Sequence, residues 1–395
     1  MFYNKFKELN LSKLGFGTMR LPVLTGKTAA YIDYEQTEKI IDYAVENGVN
    51  YFDTAYVYHG GMSEVVVAEI LKKYPRESYY LATKYPGHSI SDSYNPSEIF
   101  EEQLEKCKVD YFDFYLLHNV YEESMSVYTD PKWGIIEYFI KQKKLGRIKH
   151  LGFSSHGRIG NLREFLDLYG NEMEFCQIQL NYLDWTLQNA KEKYDLLTER
   201  NIPIWVMEPV RGGKLAYFDE KTEAELRNLR PDESIASWAF RWLNTLPNVK
   251  MILSGMSDIN QVVDNIKTFS TDIPLSDHES KLLLKIADDK LKSFVPCTAC
   301  RYCCDSCPMG LDIPMFINIY NDISFDAKFT PAMVLEFADP EKRPEACIAC
   351  GACAKMCPQK IEIPQVLKEL SKKLDSVPKW RDICKERNEL AKRNK

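Results

Sequence analysis

Eight cysteines carry the plainest chemistry in this chain. Cys297, Cys300, Cys303 and Cys307, followed by Pro308, repeat their spacing fifty residues later as Cys347, Cys350, Cys353 and Cys357, followed by Pro358. Each run reads C-x2-C-x2-C-x3-C-P. Three thiolates two residues apart wrap a compact turn around one face of an iron-sulfur cubane, and the fourth, before the proline, points away to another cluster. The spacing therefore predicts one [4Fe-4S] cluster on Cys297, Cys300, Cys303 and Cys357, and a second on Cys347, Cys350, Cys353 and Cys307. Zinc is the competing reading, but zinc sites typically space their cysteines as two separated pairs. Cys304, beside Cys303, falls outside the pattern and reads as a bystander. Cys107, Cys176 and Cys384 read as buried or surface singles.

The elements holding these thiols read as helices. "IPMFINIYNDISF", the stretch around "PAMVLEFA" and "IEIPQVLKELSKKL" carry helical periodicity. The ligand spacing resembles that of compact bacterial ferredoxins, but the gap between the motifs is longer, which looks more like the α-helical ferredoxin type. That resemblance implies a relay of single electrons. "SDHESKLLLKIADDKLK" reads as a linking helix opened by Ser276 as N-cap, with the junction near Leu291–Pro296.

Upstream, from Leu14 to about Phe269, strand and helix signals alternate. Eight β-rich runs are "LGFGTMRLP", "NYFDTA", "YYLATKY", "FDFYLLH", "IKHLGFSS", "FCQIQLNYL", "IPIWVMEP" and "VKMILSGM". Helical stretches such as "YEQTEKIIDYAVENG", "PSEIFEEQLEKCK", "GIIEYFIKQKKLG" and "IGNLREFLDLYG" lie between most of them. This predicts an α/β protein: a (β/α)8 TIM barrel over 1–292, then a mainly α-helical ferredoxin-like domain over 293–395. An open doubly wound sheet is the rival, and no G-x-G-x-x-G turn follows an early strand to support it.

The net charge of −6 gives no general case for nucleic-acid binding. The basic stretch from Gln365 to Lys395 reads as a solvated helix ahead of a docking patch. No apolar run is long enough to span a membrane, and the N-terminus lacks a signal peptide's apolar block. A cytoplasmic protein is expected, and its twelve cysteines there argue for ligation over disulfides.

In such a barrel, chemistry sits at the C-terminal ends of the strands. Those ends carry Asp53 and Tyr58 after strand two, Lys84 on strand three and His118 on strand four. "FDTAYVY", "ATK", "LLH" and "GFSS" resemble the aldo-keto reductase family over roughly residues 10–270. The whole chain resembles the members that carry a C-terminal 4Fe-4S domain. The resemblance implies interconversion of an aldehyde or ketone and an alcohol by hydride transfer, with NADP(H) or NAD(H) bound without a Rossmann fold. It maps the family's catalytic tetrad onto Asp53, Tyr58, Lys84 and His118. Hydride addition creates an alkoxide that needs a proton, and a free tyrosine, with a pKa near about 10, is a weak donor. Lys84 is expected to lower the Tyr58 pKa, Asp53 to hold Lys84, and His118 to donate to the carbonyl oxygen.

The resemblance also implies cofactor contacts. Gly17, Thr18 and Met19 follow strand one, and Asp53 follows strand two. Ser154, Ser155 and Gln177 would lie near the nicotinamide amide, and Met207 where many relatives place a stacking aromatic. Val210 and Gly213 would face the pyrophosphate, and Ser254, Gly255, Met256, Gln261 and Asn265 follow strand eight. Relatives that prefer NADPH often place basic side chains where this chain has Gly255 and Gln261, with Arg211 and Lys214 as candidate substitutes. Met19, Tyr56, Tyr85 and Trp133 are candidates for the substrate mouth. The loop "NVYEESMSVYTDPKWG" and the segment from Ala216 to Pro231 are long enough to cover it.

Nicotinamide moves two electrons as hydride, whereas iron-sulfur clusters move them singly, so a device such as flavin usually joins them. No specific flavin signature is present, and flavin stays open. The first reading is a carbonyl or alcohol oxidoreductase whose clusters exchange electrons with ferredoxin or another one-electron carrier. The second keeps the carbonyl chemistry and makes the clusters structural or redox-sensing. The third is an electron-transfer subunit with a scaffold barrel, which a complete tetrad argues against.

Overall fold

A short hairpin of β1 (Tyr3–Phe6) and β2 (Leu9–Ser12) precedes the barrel. The barrel strands follow as β3 (Leu14–Gly17), β4 (Tyr51–Asp53), β5 (Tyr80–Tyr85), β6 (Phe112–Leu117), β7 (Ile148–Ser155), β8 (Cys176–Gln179), β9 (Ile204–Met207) and β10 (Val249–Ser254). In the computed structural model, which describes all residues except 26, 28, 29, 90, 293, 298–300, 326–328, 358, 394 and 395, these eight strands pair in parallel, and β10 returns to β3 to close the ring. Closure removes the open-sheet alternative. All eight expected strands are present, most of them shorter than the runs that announced them. Closed parallel strands are buried on both faces, so they read as short apolar runs without clean alternation.

The barrel is filled by Tyr51, Phe114, Phe175, Trp205 and Met251, and the hairpin contributes Phe6 and Leu11 to the same cluster. The Phe6 ring stands edge-on to Trp205 at 5.0 Å between centroids, a favoured aromatic geometry. This hairpin was not among the expected elements. On β7, Gly152 lets the chain come close to its neighbour: a Cβ there would lie 2.6 Å from the Phe175 carbonyl oxygen.

Outer helices begin where capping residues predict. The Asp33 carboxylate accepts from the Gln36 N–H ahead of Tyr34–Glu46, and Asn95 accepts from the Glu98 N–H ahead of Pro96–Cys107. Ser276 opens Asp277–Leu291 with a capping box: its Oγ accepts from the Glu279 N–H at 3.3 Å, and the Glu279 carboxylate accepts from the Ser276 N–H at 2.8 Å. The two segments expected to be covering loops each contain a helix, Glu122–Thr129 and Glu220–Leu229.

The chain divides into two compact units. One is Met1–Leu283 with Arg387–Lys395, and the other is Leu284–Glu386. The second unit is helical. Its core joins Phe316, Ile317, Ile363, Leu367 and Leu370, drawn from the helices Ile313–Phe325 and Ile363–Leu374, with Cys303 and Cys353. Among the described residues, no helix is long and apolar enough to cross a membrane.

Candidate functional site

Strand geometry gathers four of the expected residues. β4 ends at Asp53 and β5 carries Lys84, both buried inside the barrel. The Lys84 Nζ donates to Asp53 Oδ1 at 2.5 Å, to the Thr54 carbonyl at 2.7 Å and to the Tyr58 hydroxyl at 3.3 Å. An ammonium has three N–H bonds, and these contacts use all three. Tyr58 therefore accepts from Lys84 and keeps its own proton to donate elsewhere. His118 follows β6, with its ring edge-on to Tyr58 at 5.7 Å between centroids. The Tyr128 hydroxyl donates to the His118 carbonyl at 2.8 Å and holds that turn in place.

Burial governs the electrostatics. It pushes the Tyr58 phenol above its usual pKa, although the Lys84 ammonium pulls it down. The expectation of a net lowering is corrected here: Lys84 acts in the predicted direction, but desolvation of the phenolate is larger. Lys84 loses solvation too, yet Asp53 and Tyr58 outweigh that loss and raise its pKa, so it stays an ammonium. Burial also raises the Asp53 carboxyl, against the opposing pull of Lys84. His118 is driven well below the ordinary imidazole value, first by burial and then by His88 and Lys84, so it is neutral near pH 7.

Two supporting residues escaped the sequence reading. His88 lies in the turn after β5 and packs against His118 at 4.1 Å between ring centroids. Its only sequence signal was a histidine three residues beyond a barrel strand. Glu64, fully buried, accepts from the Thr83 hydroxyl and from Gln103 Nε2, each at 2.6 Å, and Gln103 also donates to the Lys84 carbonyl at 3.2 Å. This network holds the Thr83 side chain and the Lys84 carbonyl. Burial raises the Glu64 pKa to about 6.

The expected cofactor residues divide by what already holds them. The Gln177 Oε1 is buried with no hydrogen-bond partner among the described residues, so it suits a carboxamide N–H. The Ser154 hydroxyl oxygen accepts from the Asn119 N–H at 2.8 Å, which leaves its proton available. Ser155, by contrast, donates to the Val120 carbonyl at 2.7 Å and accepts from the Gly157 N–H at 3.1 Å. Gly213, at φ +93°, has open space where a Cβ would stand, and Val210 and Met207 are half-buried. Gly17 is buried at the end of β3, and the Thr18 hydroxyl donates to the Asp53 carbonyl at 2.9 Å.

Asn265 is buried and donates to the Ser254 hydroxyl at 3.0 Å, while Gln261 accepts from the Ser257 N–H at 2.9 Å; both brace the turn after β10. Met256 is buried there, and Gly255 is exposed beneath the Arg20 side chain. Arg211 does not stand ready for a phosphate: it is buried and pairs with the fully buried Asp184 at 3.1 Å.

The suggested substrate mouth changes too. Tyr85 is buried against Phe139 and Tyr128. Tyr56 donates to Glu102 at 3.1 Å, with the Lys106 ammonium 4.4 Å from its ring centroid. Both face the helix layer. Met19 is exposed, and Trp133 meets the Tyr94 ring edge-on.

In the second unit, thiols line two cavities. Cys297, Cys303 and Cys357 share one, and Cys307, Cys347, Cys350 and Cys353 share the other. Cys300 lies outside the described residues. The remaining seven fall into the two crossed sets that the spacing predicts. The rest of each lining is largely apolar, including Ile317 and Ile361 in the first and Leu311 and Leu367 in the second. Seven soft thiol donors around such walls fit iron-sulfur clusters.

Comparison with known proteins agrees with this geometry. The model of the aldo/keto reductase family matches residues 13–288, and that of a 4Fe-4S dicluster domain matches residues 296–362. The chain belongs to the aldo/keto reductase family. It is 27% identical to the uncharacterized oxidoreductase YqkF of Bacillus subtilis, over 66% of this chain and 88% of that one. It is 24% identical to an NADH-specific methylglyoxal reductase of Escherichia coli, over 71% of this chain and 96% of that protein. Among solved structures it is similar to the holo form of aldo-keto reductase AKR11C1 from Bacillus halodurans, with a TM-score of 0.58, 26% identity, and coverage of 72% of this chain and 96% of that one.

Proposed function

We propose that the barrel interconverts an aldehyde or ketone and its alcohol with NADH or NADPH, and that the second unit holds two [4Fe-4S] clusters that exchange single electrons with a carrier such as a ferredoxin. The observation that carries the barrel's part is the threefold contact of Lys84 with Asp53, Thr54 and Tyr58. When bound, the reduced nicotinamide supplies a hydride to the carbonyl carbon, and the clusters take up or release electrons one at a time.

The protein's own residues do the rest. Tyr58 gives its hydroxyl proton to the carbonyl oxygen. Lys84 stabilises the phenolate left behind, which burial otherwise disfavours. Asp53 keeps Lys84 charged and in place. Neutral His118 donates an N–H to the same oxygen and orients the carbonyl. In the alcohol-oxidising direction Tyr58, as phenolate, removes the proton. Gln177 and the Ser154 hydroxyl would hold the cofactor's carboxamide, and Val210 and Gly213 would border its pyrophosphate. Cys297, Cys300, Cys303 and Cys357 would ligate one cluster, and Cys347, Cys350, Cys353 and Cys307 the other. The division of the thiols between two cavities supports those sets.

The alternative keeps the carbonyl chemistry and gives the clusters a structural or redox-sensing role. Anaerobic mixing with NADH or NADPH, with and without methylglyoxal as a first carbonyl probe, separates the two. Cluster bleaching by the reduced nicotinamide that the carbonyl then reverses supports electron exchange. Turnover with unchanged cluster absorbance supports the alternative, and no carbonyl turnover with any probe overturns the barrel's proposed role.

A further inference from the structure

The two cysteine motifs repeat each other closely enough to be compared residue by residue. Arg301 follows Cys300, and Gly351 follows Cys350, at the same place in each run. Each residue precedes a short helix, Tyr302–Asp305 or Ala352–Met356. The backbone is the same at both: φ +68°, ψ 0° at Arg301 and φ +74°, ψ 0° at Gly351. Arg301 lines the cavity of Cys297, Cys303 and Cys357, and Gly351 lines the other cavity.

Glycine is the ordinary occupant of this left-handed conformation, which residues with a Cβ adopt only against a steric cost. A Cβ at Gly351 would meet nothing within 4 Å, so space does not impose glycine there. The first motif instead carries an arginine in a conformation that disfavours it. What that arginine adds is a permanent positive charge at one cavity wall. A guanidinium stays protonated at any working pH. The reduced cluster carries one more negative charge than the oxidised one, and a nearby cation favours it.

Resting on the reading that the two cavities hold [4Fe-4S] clusters, we infer that Arg301 raises the reduction potential of the cluster held by Cys297, Cys300, Cys303 and Cys357, making the two clusters electrically inequivalent. Asp312 limits the effect. Its Oδ1 lies 3.3 Å from Arg301 Nη1, with the arginine side chain 59% exposed and the aspartate 29%. The same oxygen accepts from the Met315 N–H at 3.4 Å, so Asp312 also helps to open the helix Ile313–Phe325. The other cavity has a cation of its own nearby: Lys342 donates to the carbonyl of Met309, one of its lining residues. The effect of Arg301 is therefore measured on its own cluster, by substitution.

The test is EPR-monitored potentiometry on the anaerobically purified full-length protein, after iron and sulfide analysis. Arg301→Gly installs the residue that the second motif carries in the same conformation, so the fold accepts it. One cluster should lose at least tenfold in electron affinity, a fall of about 59 mV for a one-electron couple, while the other moves by less than a third of that. Asp312→Asn keeps a helix-opening acceptor but removes the charge, and should move the same cluster upward. Arg301→Lys should retain most of the wild-type potential. Unmoved potentials in a fully loaded Arg301→Gly variant, or equal shifts of both clusters, overturn the inference. Wild-type protein with iron and sulfide for fewer than two clusters overturns the underlying reading instead.

Discussion

The barrel and the helical unit hold their reactive groups in opposite ways. At the barrel site, protein atoms already complete the geometry: Lys84 has three acceptors, and Glu64 and Gln103 brace its strand. In the helical unit two of the reactive groups are part of the core. Cys303 and Cys353 are buried among Phe316, Ile317 and Leu367, and two cavities stand beside them. A site built from satisfied side chains is preorganised before any ligand arrives. A core built around ligand thiols depends on what they bind, because metal binding and folding are coupled.

The strongest challenge to this contrast is removal of iron. Anaerobic chelation should abolish cooperative unfolding of the second unit while the barrel's calorimetric transition shifts by only a few degrees. An iron-free second unit that still melts cooperatively would break the comparison.

Next comes Lys84→Met. It should lower kcat for carbonyl reduction by roughly 10²–10⁴-fold. It should also destabilise the barrel by about 3–5 kcal/mol, because Asp53 is left buried without its partner. Adding Asp53→Asn should restore most of the stability and none of the activity. Recovery of both would mean that the ion pair serves only the fold.

Lys13 sharpens the contrast further, because its buried ammonium donates to the Val249 carbonyl rather than to a carboxylate. It is 4% exposed, and burial lowers its pKa to about 7 from 10.5. The unfolded chain binds that proton up to its higher pKa. The stability penalty is therefore full below about pH 7 and fades as pH rises toward about 10.5. Denaturant unfolding should show stability climbing over that window, and Lys13→Met should flatten the climb. The same climb in the variant would exclude Lys13 as its source.

Carbonyl reduction should also stay nearly level between about pH 7 and about pH 9, because Tyr58 is held above its usual value and remains protonated. A descending limb centred near neutrality would show that another group supplies the proton. The smallest effect is expected from Cys304→Ala, with iron content unchanged, since Cys304 lines neither thiol cavity. Loss of a cluster would make it a ligand.

Much of this was legible before any coordinates. The eight strands announced themselves as apolar runs. Asp53, Lys84 and His118 stood out because each lies at or just beyond the end of such a run. The spacing of the cysteines anticipated how seven of them divide between two cavities. What escaped notice depends on distance in space. Arg211 and Asp184 are 27 residues apart in sequence, and only folding reveals that one neutralises the other. Tyr85 neighbours Lys84 but points the other way, because successive strand residues alternate faces. The sign of the Tyr58 shift required knowing how deeply the phenol is buried. The β1–β2 hairpin is short and half polar, so "YNKFKELNLS" gave no clear periodicity.

The most direct test of the central claim is single-turnover alcohol formation by Tyr58→Phe, anaerobic and loaded with reduced nicotinamide. If the Tyr58 hydroxyl delivers the proton, the rate falls by roughly 10²–10⁴-fold while iron content and nicotinamide affinity stay at wild-type levels. A wild-type rate in that variant would contradict the account.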